Sequence, residues 1–242
     1  MTMEVMTVQI SVSDGTILPA YVASPAADPA PTGVIVAHEL FGVNPDIRGV
    51  ADDLAAAGYL AIAPEFYHRD TPAGRWLERD DAGRQEGLGY LNRLRRDHAV
   101  ADVTAAMDWL RSQPGIQKVA IVGFSAGGHL AYLAACLLPL DRAAVLYAGW
   151  LPTTDIPMSQ PTPTLDLTPG LTGRLLFLVG EDDALIDAAQ RDLIRKALAE
   201  AGDGHELVSY PGAAHAFFWP GTPAYDAGAR ADAWQRILAL LA

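Results

Sequence analysis

The sequence predicts an α/β protein built on a mostly parallel, twisted β-sheet with helices on both faces. Short runs of apolar, often β-branched residues recur along the chain without polar alternation, as expected of strands that are buried on both faces. Segments with the apolar spacing of helices lie between these runs, and strand–helix alternation favours parallel pairing. The 242 residues contain no internal repeat and no linker, so a single domain spanning residues 1–242 is predicted.

The predicted strands follow from alternation at the start of the chain and from continuous apolar runs after it. Asp14 and Gly15 form a turn between two alternating segments, which predicts a hairpin. The later strands are short, and several end in a cluster of polar residues or glycines. In order, the predicted strands are residues 7–12, 17–23, 33–37, 59–63, 119–122, 143–147, 174–179 and 205–210.

The predicted helices begin and end at recognisable residues. Asn44 and Pro45 open the first, and Gly58 ends it. Residues 65–90 leave two interpretations open, a partial lid facing the substrate or a solvated connecting helix, and residues 151–170 form a proline-rich loop. The other predicted helices are residues 100–110, 130–138, 188–201 and 224–241.

Composition restricts the classes of partner. The net charge is −12, which argues against nucleic acid and anionic membranes, since both are bound through clustered basic residues. The single cysteine, Cys136, cannot form an intrachain disulfide and is predicted to pack in the core. No signal-peptide pattern and no membrane-spanning apolar run are visible, so a cytoplasmic location is predicted. The sequence predicts no particular oligomeric state.

The stretch from Val119 to Leu130 reads as a buried strand, then Gly-x-Ser-x-Gly, then a helix. This pattern predicts a sharp turn on which the Ser125 hydroxyl stands clear of the sheet as a nucleophile. Gly123 and Gly127 flank it because a Cβ at either position would collide with neighbouring backbone. The backbone N–H of Ala126 begins the helix and is predicted to face an oxyanion beside Ser125. The alternative is a glycine-rich turn that merely joins strand to helix.

A serine hydroxyl needs a base to accept its proton, and the chain has six histidines. His215 follows the last predicted strand, whereas His38, the main alternative, ends an earlier one. In α/β-hydrolases the order along the chain is nucleophile, acid, histidine, and of these two candidates only His215 lies late enough. The other histidines are predicted to pack or cap (His129) or to face solvent (His68, His98, His205).

The acid that orients the histidine is predicted to follow the strand at residues 174–179. Three aspartates, Asp182, Asp183 and Asp187, lie there. Only one needs to face the imidazole. The others would then favour a helix N-terminus, where negative charge is stabilised. The spacing alone does not choose among them.

The chain resembles the dienelactone hydrolase family of α/β-hydrolases nearly from end to end. The motifs that carry the resemblance are His-Glu-Leu-Phe-Gly-Val-Asn at residues 38–44, Gly-Phe-Ser-Ala-Gly-Gly at 123–128, Gly-Glu-Asp-Asp at 180–183 and Tyr-Pro-Gly with His-Ala-Phe at 210–217. The resemblance implies that Asp183 is the acid and His215 the base. It also implies that the Leu40 backbone N–H is the second oxyanion donor and that Glu39 is an accessory residue.

Two positions depart from the family pattern. The best-known members have a cysteine nucleophile, where this chain has Ser125. They also have an arginine four residues after the histidine that binds a substrate carboxylate, where this chain has Trp219. An apolar substrate pocket is therefore predicted, with uncharged esters or lactones preferred and Arg75, Arg79 and Arg84 as alternative carboxylate partners. The predicted pocket residues are Phe41, Trp150, Phe218 and Trp219.

The sequence thus predicts a serine hydrolase of small carboxylic esters or lactones. No metal-binding motif, paired-cysteine cluster or phosphate loop is present, so neither a metal nor a cofactor is predicted. Acyl transfer or peptide cleavage by the same chemistry is an alternative, and a non-catalytic binding module on the same fold is another.

Overall fold

The computed structural model describes residues 3–242 and contains an eight-stranded sheet. The strands run in the order β1-β2-β4-β3-β5-β6-β7-β8. Antiparallel pairing joins β1 to β2 and β2 to β4, and the remaining neighbours are parallel. The strands are β1 (Glu4–Ser11), β2 (Ile17–Ser24), β3 (Thr32–Ala37), β4 (Leu60–Pro64), β5 (Lys118–Phe124), β6 (Arg142–Leu146), β7 (Arg174–Gly180) and β8 (His205–Tyr210).

Helices cover the sheet, and several begin at capping side chains that the sequence supplies. Asn44 caps the first helix through the backbone N–H of Ile47, and Asp226 caps the last. The α-helices are α1 (Pro45–Ala56), α2 (Asp81–Leu91), α3 (Arg96–Arg111), α4 (Ala126–Leu137), α5 (Ala188–Ala201) and α6 (Ala227–Leu241).

Burial of the central strands confirms the predicted fold class. Every residue of β3 and of β4 is buried, which requires cover on both faces of the sheet. Strand β5 lies between β3 and β6, with Gly123 paired to Ala37 on one side and Val145 on the other. The C-terminal ends of these parallel strands therefore meet at one edge of the sheet, where α/β proteins form their sites.

The structure defines the segments for which the sequence allowed two interpretations or predicted different helix bounds. Residues 65–80 form an irregular connection and α2 follows, so the second half of residues 65–90 is helical. The proline-rich loop contains two short 3₁₀ turns, Pro157–Ser159 and Thr164–Gly170. The last helix begins three residues later than predicted, at Ala227, because the Asp226 side chain accepts the Ala229 N–H and caps it there.

No helix within residues 3–242 has the length and apolar character needed to cross a bilayer. In that same part of the chain, no three His, Cys, Asp or Glu side chains are grouped so as to hold a metal ion. Cys136 is buried, as its predicted packing role requires.

Candidate active site

Ser125 stands on a sharp turn between β5 and α4. Its backbone has φ 53° and ψ −114°, a conformation that costs energy for any residue with a Cβ. Glycines provide the room for this turn. A Cβ on Gly123 would lie 2.1 Å from the Gly127 carbonyl oxygen, and a Cβ on Gly127 would lie 2.2 Å from that of Ala37. The close approach holds α4 against β3 and leaves the Ser125 side chain at the strand ends.

Ser125, His215 and Asp183 form one chain of hydrogen bonds. Ser125 Oγ lies 2.9 Å from His215 Nε2, and His215 Nδ1 lies 2.9 Å from Asp183 Oδ2. Because a carboxylate only accepts, Nδ1 carries the ring hydrogen and Nε2 accepts from the serine hydroxyl. The Asp183 side chain is fully buried, and its other oxygen accepts the backbone N–H of Leu185 at 2.8 Å. Both oxygens of the Asp183 carboxylate are therefore hydrogen-bonded.

The other two candidate acids lie outside this chain of hydrogen bonds. Asp182 is exposed, and its backbone N–H donates to the Ala213 carbonyl at 3.0 Å. Asp187 caps α5 with its side chain. A Cβ on Gly180 would lie 2.0 Å from the Ala213 oxygen, so only glycine lets the end of β7 approach the loop that carries His215. This approach brings Asp183 and His215 together.

Backbone strain is concentrated around Ser125. Among the described residues, the non-glycine residues with positive φ are Ser125 and three others, Tyr147 at 40°, Trp150 at 60° and Ala216 at 64°. Trp150 and Ala216 line the same cleft as Ser125, and the Tyr147 ring packs edge-on against His215 at 5.1 Å between centroids. Strain of this kind persists where surrounding structure enforces it, which is frequent at functional sites. The pattern marks this sheet edge as the candidate site.

The two predicted oxyanion donors are backbone N–H groups of residues that line the same cleft as Ser125. Leu40 follows β3 and Ala126 is the first residue of α4, and both line the cleft that contains Ser125. Neither N–H donates a hydrogen bond within residues 3–242. The dipole of α4 also favours negative charge at its N-terminus. Such an arrangement can stabilise an oxyanion on a carbonyl attacked by the serine.

The cleft that contains Ser125 has a volume of about 390 Å³. Most of its wall is apolar, and its charged members are Glu39 and Arg84. A larger groove of about 840 Å³, between α3 and residues 157–161, contains neither Ser125 nor His215. The apolar side chains that line the cleft are Leu40, Phe41, Leu88, Ala126, Trp150, Ala184, Leu185 and Ala216.

The prediction that Phe218 and Trp219 form the pocket wall is wrong. Both side chains are buried in the core, at 1% and 2% exposed. Each packs against Phe124, at 5.2 Å and 4.7 Å between ring centroids, so packing under the sheet edge takes them away from the cleft. Phe41 and Trp150 do line the cleft.

The three arginines that the sequence offered as carboxylate partners have different surroundings. Arg75 pairs with Glu86 at 2.6 Å, and Arg79 pairs with Glu39 at 2.5 Å. Arg84 lines the cleft and has no carboxylate within 4.0 Å among the described residues. It lies one helical turn before Leu88, which also lines the cleft, and this i, i+4 spacing on α2 was a usable sequence signal.

Glu39 is held by an arginine that sequence reasoning did not connect to it. Its carboxylate is buried and accepts from Arg79 at 2.5 and 2.9 Å, while Arg79 also pairs with Asp46. The Asn44 amide lies 3.5 Å away. Burial raises the pKa of Glu39, and the Arg79 guanidinium opposes part of that rise. These partners hold the carboxylate and do not include Ser125.

Of the six histidines, His215 is the one that contacts Ser125. His38 and His129 are buried and hydrogen-bonded to backbone carbonyls. His68 is buried against a carboxylate of α3 at 3.3 Å, so the prediction that it faces solvent is wrong. His98 and His205 are half-buried.

The model of the dienelactone hydrolase family matches residues 18–242 of the chain. The chain belongs to this family. Membership confirms the resemblance read from the sequence motifs and the predicted enzyme class, a hydrolase of esters or lactones.

Relatives within the dienelactone hydrolase family cover almost the whole chain. A proposed carboxymethylenebutenolidase from Synechocystis sp. is 31% identical over 98% of this chain and 96% of its own length. Another from Yersinia pestis is 36% identical over 93% of this chain and 84% of its own length. The crystal structure of a proposed dienelactone hydrolase from Klebsiella pneumoniae has a TM-score of 0.86 and 29% identity, covering 99% of this chain and 98% of that one.

In this dienelactone hydrolase family member, Glu39→Gln should weaken the fold more than the chemistry. The substitution removes the buried negative charge that pairs with Arg79, although Arg79 still pairs with Asp46. The free energy of unfolding should therefore fall by about 1–3 kcal/mol. Because the carboxylate faces Arg79, kcat should fall by less than about tenfold, far less than for loss of a transition-state contact. Denaturant unfolding and ester hydrolysis measure the two effects.

The control for Glu39→Gln is Glu86→Gln, which breaks the exposed pair with Arg75 and should leave both quantities unchanged. A loss of kcat by Glu39→Gln of several thousand-fold in a folded protein would make Glu39 a direct participant in the reaction.

Proposed function

We propose that this protein hydrolyses small carboxylic esters or lactones through a covalent acyl-enzyme on Ser125. The observation that supports this most is the pair of 2.9 Å contacts from Ser125 to His215 and from His215 to Asp183, at the floor of an apolar cleft. The names of the relatives, which specify lactone hydrolysis, agree with it. All the groups involved follow strands of one sheet, and we propose that residues 1–242 act as one domain.

In the first half of the proposed reaction, Ser125 Oγ attacks the substrate carbonyl carbon. The hydroxyl proton passes to His215 Nε2, and Asp183 stabilises the imidazolium through Nδ1. The carbonyl oxygen becomes an oxyanion that accepts from the Leu40 and Ala126 N–H groups. Collapse of the tetrahedral intermediate breaks the bond to the leaving alkoxide, which takes the proton from His215. In a lactone this alkoxide remains attached to the acyl group.

In the second half, water replaces the serine. His215 Nε2 takes a proton from the water as its oxygen attacks the acyl carbon, and the same two N–H groups receive the oxyanion. The intermediate collapses with loss of Ser125 Oγ, which recovers a proton from His215. The products are a carboxylic acid and the alcohol, and the enzyme returns to its starting state.

The proposed function predicts a covalent adduct at one residue. Incubation with a fluorophosphonate, followed by intact-mass and peptide mass spectrometry, should give one equivalent of adduct on Ser125 and abolish hydrolysis of p-nitrophenyl acetate. The same protein should show a burst of p-nitrophenol when deacylation is slower than acylation. Full ester hydrolysis by protein that carries no adduct after exposure to the probe would contradict the proposal, and an adduct on another residue would relocate the nucleophile.

The cleft should favour uncharged substrates. Placing a carboxylate against an apolar wall without a partner costs several kcal/mol. Arg84 is the cation in the cleft, but it is exposed, and a pair at an exposed site gains only about 0.2–1 kcal/mol. The apolar wall therefore outweighs the arginine, and a neutral aryl ester should have a higher kcat/KM than its carboxylate analogue.

Arg84→Ala should lower kcat/KM for the carboxylate analogue by up to about fivefold, the size of an exposed ion pair, and leave the neutral ester unchanged. The matched control is Arg75→Ala, because Arg75 pairs with Glu86 and does not line the cleft. Steady-state kinetics on both esters with both variants give the comparison. A wild-type preference for the carboxylate that disappears in Arg84→Ala would overturn the assignment of an uncharged substrate.

A further inference from the structure

His38 is a buried histidine that the proposed reaction does not use. It directly follows β3, its exposed fraction is 3%, and it packs against the rings of Phe66 at 5.4 Å and Tyr67 at 4.8 Å. Its two ring nitrogens face backbone groups. Nδ1 lies 2.7 Å from the Glu39 carbonyl oxygen, and Nε2 lies 3.2 Å from the Phe66 backbone nitrogen.

These partners determine the tautomer of His38. A carbonyl oxygen only accepts, so Nδ1 carries the hydrogen and donates it to Glu39. The Phe66 N–H only donates, so Nε2 is unprotonated and accepts it. Burial lowers the pKa of His38 to about 4, and the ring therefore stays neutral at neutral pH. The ring therefore links the segments that directly follow β3 and β4.

The carbonyl that His38 holds belongs to the peptide between Glu39 and Leu40. In a trans peptide the C=O and the N–H lie in one plane and point in opposite directions. A donor that holds the Glu39 oxygen consequently sets the direction of the Leu40 N–H. The Gly42 N–H also reaches that oxygen, at a longer 3.4 Å, so His38 provides the shorter of the two contacts.

Close packing surrounds the two peptides that flank this one. Helix α2 packs closely on Leu40, since a Cβ added to Gly87 would lie 2.7 Å from the Leu40 carbonyl oxygen. A Cβ added to Gly127 would lie 2.3 Å from the His38 carbonyl oxygen, so α4 closes the other side. The flanking peptides are thus fixed by packing, while the His38 hydrogen bond sets the direction of the peptide between them.

We infer that His38 is a positioning residue that aims the Leu40 N–H at the oxyanion formed on Ser125. The inference rests on the proposed function, because it assigns a role within that reaction. Oxyanion stabilisation depends on donors that are oriented before charge develops, so a donor that is present but free to rotate stabilises less. His38 acts through Leu40 and does not touch the substrate.

Two substitutions separate the two hydrogen bonds of His38. In His38→Asn the side-chain amide nitrogen takes the place of Nδ1 and can still donate to Glu39, while the contact to Phe66 is lost. In His38→Gln the amide oxygen takes the place of Nε2 and can still accept from Phe66, while the contact to Glu39 is lost. Each variant therefore keeps one contact and serves as the control for the other.

We expect His38→Gln to lower kcat by about 10- to 100-fold with little change in KM, somewhat less than complete removal of an oxyanion donor. His38→Asn should retain most of the wild-type kcat. Binding of a trifluoromethyl ketone, which forms an anionic tetrahedral adduct with Ser125, should weaken in His38→Gln by the same factor as kcat/KM. Binding of the matching methyl ketone, which stays planar and neutral, should not change.

The inference is overturned if folded His38→Gln has wild-type kcat, if Asn and Gln lose kcat equally, or if both ketones weaken equally. If His38→Gln does not fold, His38→Asn carries the test: wild-type kcat with unchanged binding of the trifluoromethyl ketone supports the inference, and a tenfold or greater loss of kcat in the folded protein overturns it. Ser125→Ala separates this outcome from failure of the proposed function. Wild-type turnover by Ser125→Ala contradicts the function, whereas an inactive Ser125→Ala beside a fully active His38→Gln contradicts only the role of His38.

Discussion

Ser125→Ala should lower kcat for ester hydrolysis by about a million-fold, as loss of the nucleophile does in other serine triads. The substitution removes the oxygen on which the acyl-enzyme is proposed to form and leaves the proposed oxyanion donors and the cleft in place. The fold should persist, because alanine has the same Cβ in the same strained turn. The Ser125 backbone N–H also keeps its 3.0 Å hydrogen bond to the Leu146 carbonyl. Steady-state hydrolysis and thermal unfolding of the same preparation measure both expectations.

The matched control for Ser125→Ala is Ser159→Ala. Ser159 is also buried, and its hydroxyl donates to the Ile156 carbonyl at 3.1 Å, far in sequence from the turn at Ser125. This control loses a structural hydrogen bond and should keep wild-type kcat. A well-folded Ser125→Ala protein with near-normal hydrolysis would show that another group is the nucleophile.

The parts of the fold that were predictable are those that neighbouring residues determine. The run of β-branched residues before Gly123 predicts β5, and the flanking glycines predict the turn at Ser125, because both depend on local backbone sterics. Asn44 and Pro45 predict the start of α1 for the same reason. His215 follows from its place after the last strand, since the strands of a parallel sheet end at one edge.

The parts that sequence missed depend on packing between distant segments. Phe218 and Trp219 follow His215 directly, which suggested the cleft, but contact with Phe124 takes them into the core. The ion pair between Glu39 and Arg79 joins residues forty positions apart, and no local sequence pattern predicts it. Such contacts become visible only when the chain is folded.

Helix α2 shows how tertiary contact can overrule local propensity. Its glycines lower the helix propensity of residues 81–91, and the sequence left both a connecting helix and a partial lid open there. In the structure, Gly87 lies where a Cβ would come within 2.7 Å of the Leu40 carbonyl oxygen. The glycine that weakens the helix therefore permits the helix to pack on the predicted oxyanion donor. Arg84 and Leu88 reach the cleft as a result.

Asp183→Asn should lower kcat by about four orders of magnitude, as the same change does in a serine protease triad. The buried Asp183 carboxylate accepts from His215 Nδ1 and thereby keeps Nε2 free to take the serine proton. An asparagine amide can donate to Nδ1 instead, which places the ring hydrogen on Nε2. Nε2 then cannot accept the proton of the Ser125 hydroxyl. The rate of fluorophosphonate labelling should fall by a similar factor, since it depends on the same proton transfer.

Asp182→Asn and Asp187→Asn are the matched controls for Asp183→Asn, and both should keep kcat close to wild type. Asp182 is exposed, and its backbone N–H donates to the Ala213 carbonyl. The substitution leaves this hydrogen bond intact. Asp187 caps α5 with an oxygen that asparagine also provides, so stability should be retained. If Asp182→Asn were the crippling change and Asp183→Asn were active, the acid would be assigned one residue too late. The hydrogen bond at 2.9 Å to His215 would then have no catalytic role.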